Sequence, residues 1–286
     1  MTRLTDKQYW ESFYRDSAAE VKGPLPNSGI KRFLKRILGP RLFDLISPYD
    51  DYLLWNSVFP AFVPTSGKSL SVVEVGSAPG TFLVRFAKAF GAEPFGVEYT
   101  HHGADCNRQT FAANGFEPGN VIESDFFSQE FIDGHKGGFD IVISRGFIEH
   151  FVEVGSVISR HAELLRPGGV LFVLIPNLRG VYYPWTKAFN PAQLPLHNLD
   201  LMDISRFRGA FEEQPLEALR CGYFGTFSFW MFTAPSEARW ANRVIHMLLI
   251  LQRGLNLLFR LAFADRGCES AMFSPNLLFV GRKKGQ

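Results

Sequence analysis

The chain has 286 residues, 46% of them hydrophobic and 20% charged, with a formal net charge of +2. That balance excludes a disordered or fibrous chain, and so slight a basic excess speaks against a nucleic-acid partner. Three cysteines, Cys106, Cys221 and Cys268, stand far apart without metal spacing, which fits a reducing compartment and excludes a disulfide framework. The polar start, Met1 to Asp6, carries no signal-peptide pattern, so a cytoplasmic protein is expected.

Leu4 to Arg15 predicts a short helix with Tyr9, Trp10, Phe13 and Tyr14 as an aromatic set. A loop rich in Gly, Pro and Asn follows, from Val21 to Gly29. Ile30 to Leu38 then repeats apolar residues at helical spacing with cations between, and Leu42, Phe43, Leu45 and Ile46 resume that face beyond Gly39-Pro40. A basic amphipathic helix of this kind lies on a membrane, covers a site or packs on a core. Tyr49 to Phe62 predicts a second aromatic helix, closed by Pro60 and Pro64.

Val72 to Val75 is a short apolar, β-branched run that reads as a buried parallel strand. Gly76 and Gly80 follow, allowing a sharp turn and a close approach to a ligand, and a helix is expected from Thr81 to Phe90. Glu74 is the unusual residue, because a buried carboxylate is costly without a partner. A dinucleotide site would carry Gly-x-Gly-x-x-Gly. Here the order is Glu-x-Gly-x-Ala-x-Gly, which repels phosphate and suits a cationic amino-acid end. The segment resembles the first motif of class I S-adenosyl-L-methionine (SAM) methyltransferases, with Ala78 where those enzymes usually carry a middle glycine and Pro79 as a variant.

Pro94 to Glu98 predicts the second strand, ending in an acid about 20 residues past the glycine turn, where ribose hydroxyls are held in nucleotide-binding sheets. Asp105 to Asn114 reads as the next helix, with His101-His102 before it as an exposed loop pair. Asn120 to Phe127 reads as a third strand. The resemblance implies that Asp125 at its end accepts from an adenine amino group and that Phe126 lies against the ring; an N-cap is the plainer role for Asp125. Phe139 to Ser144 is the fourth strand, leading into Arg145-Gly146-Phe147-Ile148-Glu149-His150-Phe151. Val154 to Leu165 is helical, and Arg166-Pro167-Gly168-Gly169 makes a turn before the strand Val170 to Pro176, as in the resembling family.

Asn177 to Leu201, rich in Pro, Asn and aromatics, predicts a lid or substrate loop. Asp203 to Phe211 reads as a helix with an acidic cap, and Pro215 to Tyr223 as the sixth strand. Arg239 to Phe263 is a long apolar helix whose interspersed Arg243, His246, Arg253, Asn256 and Arg260 argue against a membrane span. It either packs against the N-terminal helices or turns an apolar face to lipid or a second subunit. Asn276 to Val280 closes the sheet.

The expected fold is α/β, a doubly wound, mostly parallel seven-stranded sheet with helices on both faces. Residues 1–66 form an N-terminal helical cap, 67–177 the cofactor core, and 178–286 the lid, C-terminal helices and closing strands of the same domain. The resemblance implies SAM as cofactor. It would touch Gly76, Ser77, Ala78, Gly80 and Phe82 at the turn, and Glu74 would order its amino-acid end. Glu98 and Tyr99 would hold the ribose side, Asp125 and Phe126 the adenine, and Ser144 and Arg145 the far end. His150, His197 and Glu149 compete for the role of base, with Asp203 and Tyr183 weaker. No metal is expected, because Gly146 stands where some ubiquinone-pathway O-methyltransferases, which share the Glu-His-Phe-like stretch, place a metal-binding acid. The function implied is methylation of a hydroxyl on a small molecule or glycan. A membrane-associated lipid or quinone acceptor, and a non-catalytic SAM-binding scaffold, are the alternatives. Peripheral membrane contact and a homodimer both stay open.

Overall fold

The computed structural model describes residues 1–21, 47–65 and 69–285. The basic amphipathic stretch expected from Ile30 to Ile46, and most of the loop before it, lie outside the described residues. The first helix, α1, runs Lys7–Val21. It starts later than expected because the Asp6 carboxylate accepts from the Tyr9 N–H at 2.6 Å and fixes the first turn there. The second aromatic segment is continuous: Tyr49–Leu53 (α2), a π-helical turn Leu54–Val58, and Phe59–Phe62 (α3).

The core alternates strand and helix: β1 Ser71–Val75, α4 Thr81–Phe90, β2 Glu93–Glu98, α5 His101–Ala113, β3 Val121–Glu123, α6 Gln129–His135, β4 Phe139–Arg145, α7 Val154–Leu164 and β5 Leu165–Pro176. Then come α8 Tyr182–Phe189, α9 Ile204–Glu212, β6 Leu216–Phe224, α10 Arg239–Phe263 and β7 Asn276–Lys283. The seven strands lie in the order β3-β2-β1-β4-β5-β7-β6. Pairing is parallel except for β7, which runs antiparallel to both β5 and β6. This is the doubly wound sheet expected from the sequence.

Both faces of the central strands are covered, which is why they read as unbroken apolar runs. One face carries Val73, Val142, Leu171 and Phe279 against α6, α7 and α9, including Phe207 and Phe211. The other carries Val72, Ile141, Ile143 and Phe172 against α2, α3, α4 and α5, with Phe59 and Phe86 edge to face at 5.0 Å.

Three further differences from expectation each have a local reason. The third strand stops at Glu123, because the Ser124 N–H bonds back to the Glu98 carbonyl and the Asp125 carboxylate accepts from the Phe127 N–H, turning the chain away. Helix α5 begins at His101, so His101-His102 is a helical first turn rather than a loop. The expected turn at Arg166–Gly169 is a bulge inside β5: Phe139 pairs with Leu165 and Ile141 with Val170, leaving four residues looped out. Asp203 caps α9 as predicted, accepting from the Ser205 and Arg206 N–H groups.

Candidate active site

A cleft opens at the carboxyl ends of β1, β2, β3 and β4, where such sheets hold ligands. At its floor, Gly76 and Gly80 both adopt positive φ, +69° and +86°. A Cβ on Gly80 would run into Asn107 Oδ1, and one on Gly76 would lie 3.0 Å from the Phe147 ring. Asn107 is fully buried and bonds the Ser77 hydroxyl, so α5 clamps the turn from behind.

Glu74 sits beneath this turn, 4% exposed, between Gly96 and Ile143 in register. Its Oε2 has no hydrogen-bond partner among the described residues. Burial pushes the carboxyl up to about 7, against the opposing pull of the Arg145 charge. Glu98 is buried too, yet its Oε1 accepts from the Tyr99 and Thr100 N–H groups and from the Thr100 hydroxyl. Burial raises its pKa, and those donors pull it back. Ser144, at the end of β4, is 1% exposed and its hydroxyl is unpartnered.

Gly76, Ala78, Glu98, Tyr99, Asp125, Phe126, Arg145 and His150 all line the cleft. Glu74, Ser77, Gly80 and Ser144 lie just outside that lining. Phe82 does not reach it: its ring lies 3.7 Å under the Arg145 guanidinium and faces a neighbouring cavity of about 530 Å³, lined also by Asp50, Asp51, Arg85 and Asn276. Both oxygens of Asp125 are held by Arg3 at 2.7 Å, so a ligand amino group would share or displace that cation.

Arg3 belongs to a strap that the sequence did not assign to the site. Leu4 donates to the His150 carbonyl at 2.8 Å, and Thr2 bonds Glu153. Trp10 packs edge-on against His150 at 5.2 Å, and the Tyr14 hydroxyl points to the Ala78 carbonyl at 3.4 Å. Arg3, Thr5, Trp10 and Tyr14 thus close the mouth. The aromatic set on one short helix before the core was the available signal.

At the other end stand Glu149, His150 and His197. His150 Nδ1 lies 2.7 Å from the Leu196 carbonyl and His197 Nδ1 2.7 Å from that of Gln193. A carbonyl only accepts, so each Nδ1 carries the proton and each Nε2 its lone pair. The two rings lie 4.7 Å apart. Burial drives His150 down to about 4, with His197 adding to the effect, and it lowers His197 as well. Glu149 is 1% exposed, its Oε2 unpartnered, and burial pushes it up to about 8. One ligand atom from each of the three falls within 4.8 Å of the others, so the same trio that can hold a proton has the donor set for a divalent ion.

Of the connection Asn177 to Leu201, only its end touches the site: Asn198 donates to the carbonyls of Glu149 and Phe151. Its start is fixed to the domain, with Asn177 buried and bonded to the Ala271 and Ser274 carbonyls, and Tyr182 and Thr186 are buried beyond it. Tyr183 is turned outward, and Asp203 is engaged in its cap. The exposed His101 pairs with Glu123, and His102 with Glu11.

A family model described as a methyltransferase domain matches residues 49–219. The chain is 30% identical over 102 residues to the ubiquinone biosynthesis O-methyltransferase of Aromatoleum aromaticum, covering 35% of this chain and 42% of that protein. To its counterpart from Thiobacillus denitrificans it is 27% identical over 121 residues, 42% of this chain and 49% of that one. The chain therefore spans less than half the length of these curated relatives. Among solved structures, the geranyl diphosphate C-methyltransferase of Streptomyces coelicolor, in complex with Mg2+, geranyl diphosphate and S-adenosyl-L-homocysteine, superposes with a TM-score of 0.52 at 15% identity. That match covers 82% of this chain and 78% of the other, and is a likeness of fold.

Proposed function

This chain belongs to the methyltransferase-domain family, and we propose that it transfers a methyl group from SAM to a hydroxyl of a small molecule or saccharide. The observation that carries the reading is Glu74, a buried carboxylate with an unpartnered oxygen beneath a glycine turn. A cationic ligand end meets that need, and a pyrophosphate does not. The residues present fit the cofactor: in the lining, Glu98 would take the ribose hydroxyls and Asp125 with Phe126 the base, while Glu74, buried just outside the lining, would answer the ammonium. When bound, it supplies an electrophilic methyl on a sulfonium.

What the protein adds is alignment and a place for one proton. Orientation can lower a barrier by roughly 7–11 kcal/mol, whereas a base adds about 10²–10⁴-fold. His150 is the base we favour, because it lines the cleft while His197 and Glu149 stand behind it. Held neutral by burial, with Nδ1 tied to a carbonyl, it offers Nε2 to the acceptor's hydroxyl proton. Its low basicity places the expected effect at the bottom of that range, so His150→Ala should lower turnover at saturating SAM about 10²-fold. A loss within tenfold for both His150→Ala and His197→Ala would refute a histidine base.

Three free cysteines fit a cytoplasmic setting. A second reading, a lipid or quinone acceptor held at a membrane, is favoured by the exposed apolar residues of α10 and by the ubiquinone-pathway relatives. Incubation with methyl-labelled SAM and fractionated cell extract, followed by identification of the labelled compound, separates the two acceptors. Calorimetric SAM binding without label in any fraction would instead indicate a scaffold, and an absence of SAM binding would end the proposal.

A further inference from the structure

The helix α10 is packed the unusual way round. Its fully buried positions are Ala241, Gln252 and Asn256, whereas Trp240, Met247, Ile250, Leu251, Leu258 and Leu261 are more than half exposed. The two buried amides are satisfied inside: Gln252 accepts from the Phe229 N–H and donates to the Phe227 carbonyl and to Asn256 Oδ1. These amides, with Phe259 and Phe263 against the core, fasten the helix to the domain, while a second set of apolar side chains faces away from it. Trp240, Val244, Met247, Leu251 and Leu258 recur on one outward stripe at helical spacing. A stripe of this size on a soluble domain marks an interaction surface.

Charge decides among the partners. Over the 25 residues of α10 there is no aspartate or glutamate, while Arg239, Arg243 and Arg253 are exposed beside the stripe. Two copies meeting through this face would bring their arginines together with no acid on either helix to answer them. An anionic lipid surface supplies both an apolar layer for the stripe and phosphates for the arginines. The helix is long and apolar enough to cross a membrane by length and composition. It is nevertheless held along the protein: Arg260 donates to the Ser47 hydroxyl at 2.9 Å, and the Tyr49 hydroxyl to the Ala264 carbonyl at 2.7 Å. Such anchoring favours lying in the interface over spanning.

We propose that α10 docks the protein onto the surface of an anionic phospholipid bilayer, with Trp240, Met247, Leu251 and Leu258 in the acyl boundary and Arg239, Arg243 and Arg253 at the phosphates. The proposal holds whichever acceptor is methylated.

Flotation of the full chain tests it, using phosphatidylcholine vesicles with and without about 30% phosphatidylglycerol. Binding to the anionic vesicles, weakened by salt and reduced about tenfold or more by Leu251→Glu with Leu258→Glu, is the expected result. Arg253→Glu should cost less than that pair but in the same direction. All three positions are exposed, so SAM affinity by calorimetry should stay unchanged and report that the variants fold. Flotation that ignores the double substitution overturns the proposal, as does absence of binding to anionic vesicles. A dimer in light scattering that the double substitution dissolves, without vesicle binding, overturns it in favour of a second copy.

Discussion

The two ends of the cleft are built on opposite plans. At the glycine-turn end, Gly76, Gly80, Ser77 and Asn107 interlock through close contacts that leave no room for a side chain. At the histidine end, His150 and His197 are each tied to a backbone carbonyl through Nδ1, while Glu149 is not, and His150 Nε2 and Glu149 Oε1 stay 3.9 Å apart. The first end is a rigid mould for one fixed ligand. The second keeps a carboxyl oxygen and two imidazole Nε2 atoms in reserve for whatever proton the acceptor brings.

If the turn is the mould, altering it should do the most damage. Gly80→Val forces a β-branched residue to φ +86° and into Asn107. Strain and clash of that order should weaken SAM binding about 10²-fold or more by calorimetry. Affinity within tenfold of the parent would mean the turn yields and the contrast between the ends is false.

Glu74 sharpens the contrast through pH. With its carboxyl near 7, it is increasingly protonated below neutrality, and a cationic ligand must then displace a proton. SAM affinity should therefore fall as pH drops, approaching about tenfold per unit below 7, and Glu74→Gln should flatten that slope. A slope that survives the substitution would assign the linkage to another group.

Glu149 gives the smallest and most local effect. Its pKa is raised from 4.5 to about 8 by burial, so its contribution to stability is full below about 4.5 and is lost as pH rises through 8. The unliganded parent should lose several degrees of melting temperature between pH 5 and 9 relative to Glu149→Gln. Equal losses in the two proteins would show that Glu149 already has a partner. Dialysis against a chelator should leave turnover unchanged if the trio carries a proton rather than an ion.

Much of this was legible in the sequence. The strands β1, β4 and β5 announced themselves as apolar runs because both faces are covered. The acid ahead of the glycine turn was unusual enough to draw attention to that turn, where Gly76 and Ala78 line the cleft. The strap was not legible: Arg3 and Trp10 reach the site only through tertiary contacts with Asp125 and His150, which no local pattern encodes. Phe82 was assigned to the cofactor from its place after the turn, but the first turn of α4 points it to the other side of Arg145. The early end of β3 turns on single hydrogen bonds at Ser124 and Asp125, below the resolution of propensity. The orientation of α10 was likewise hidden, since amphipathicity does not say which face is the inner one.

The position of β7 has a bearing on how the molecule is made. Its strand comes after β6 in the chain yet lies between β5 and β6, so β6 has no sheet neighbour until Asn276–Lys283 has emerged. During synthesis the nascent chain must hold the apolar edge of β5 open, with Leu277 and Phe279 still inside the ribosome. Any lesion that removes the last strand would therefore take β6 out of the sheet with it, two of the seven strands rather than one.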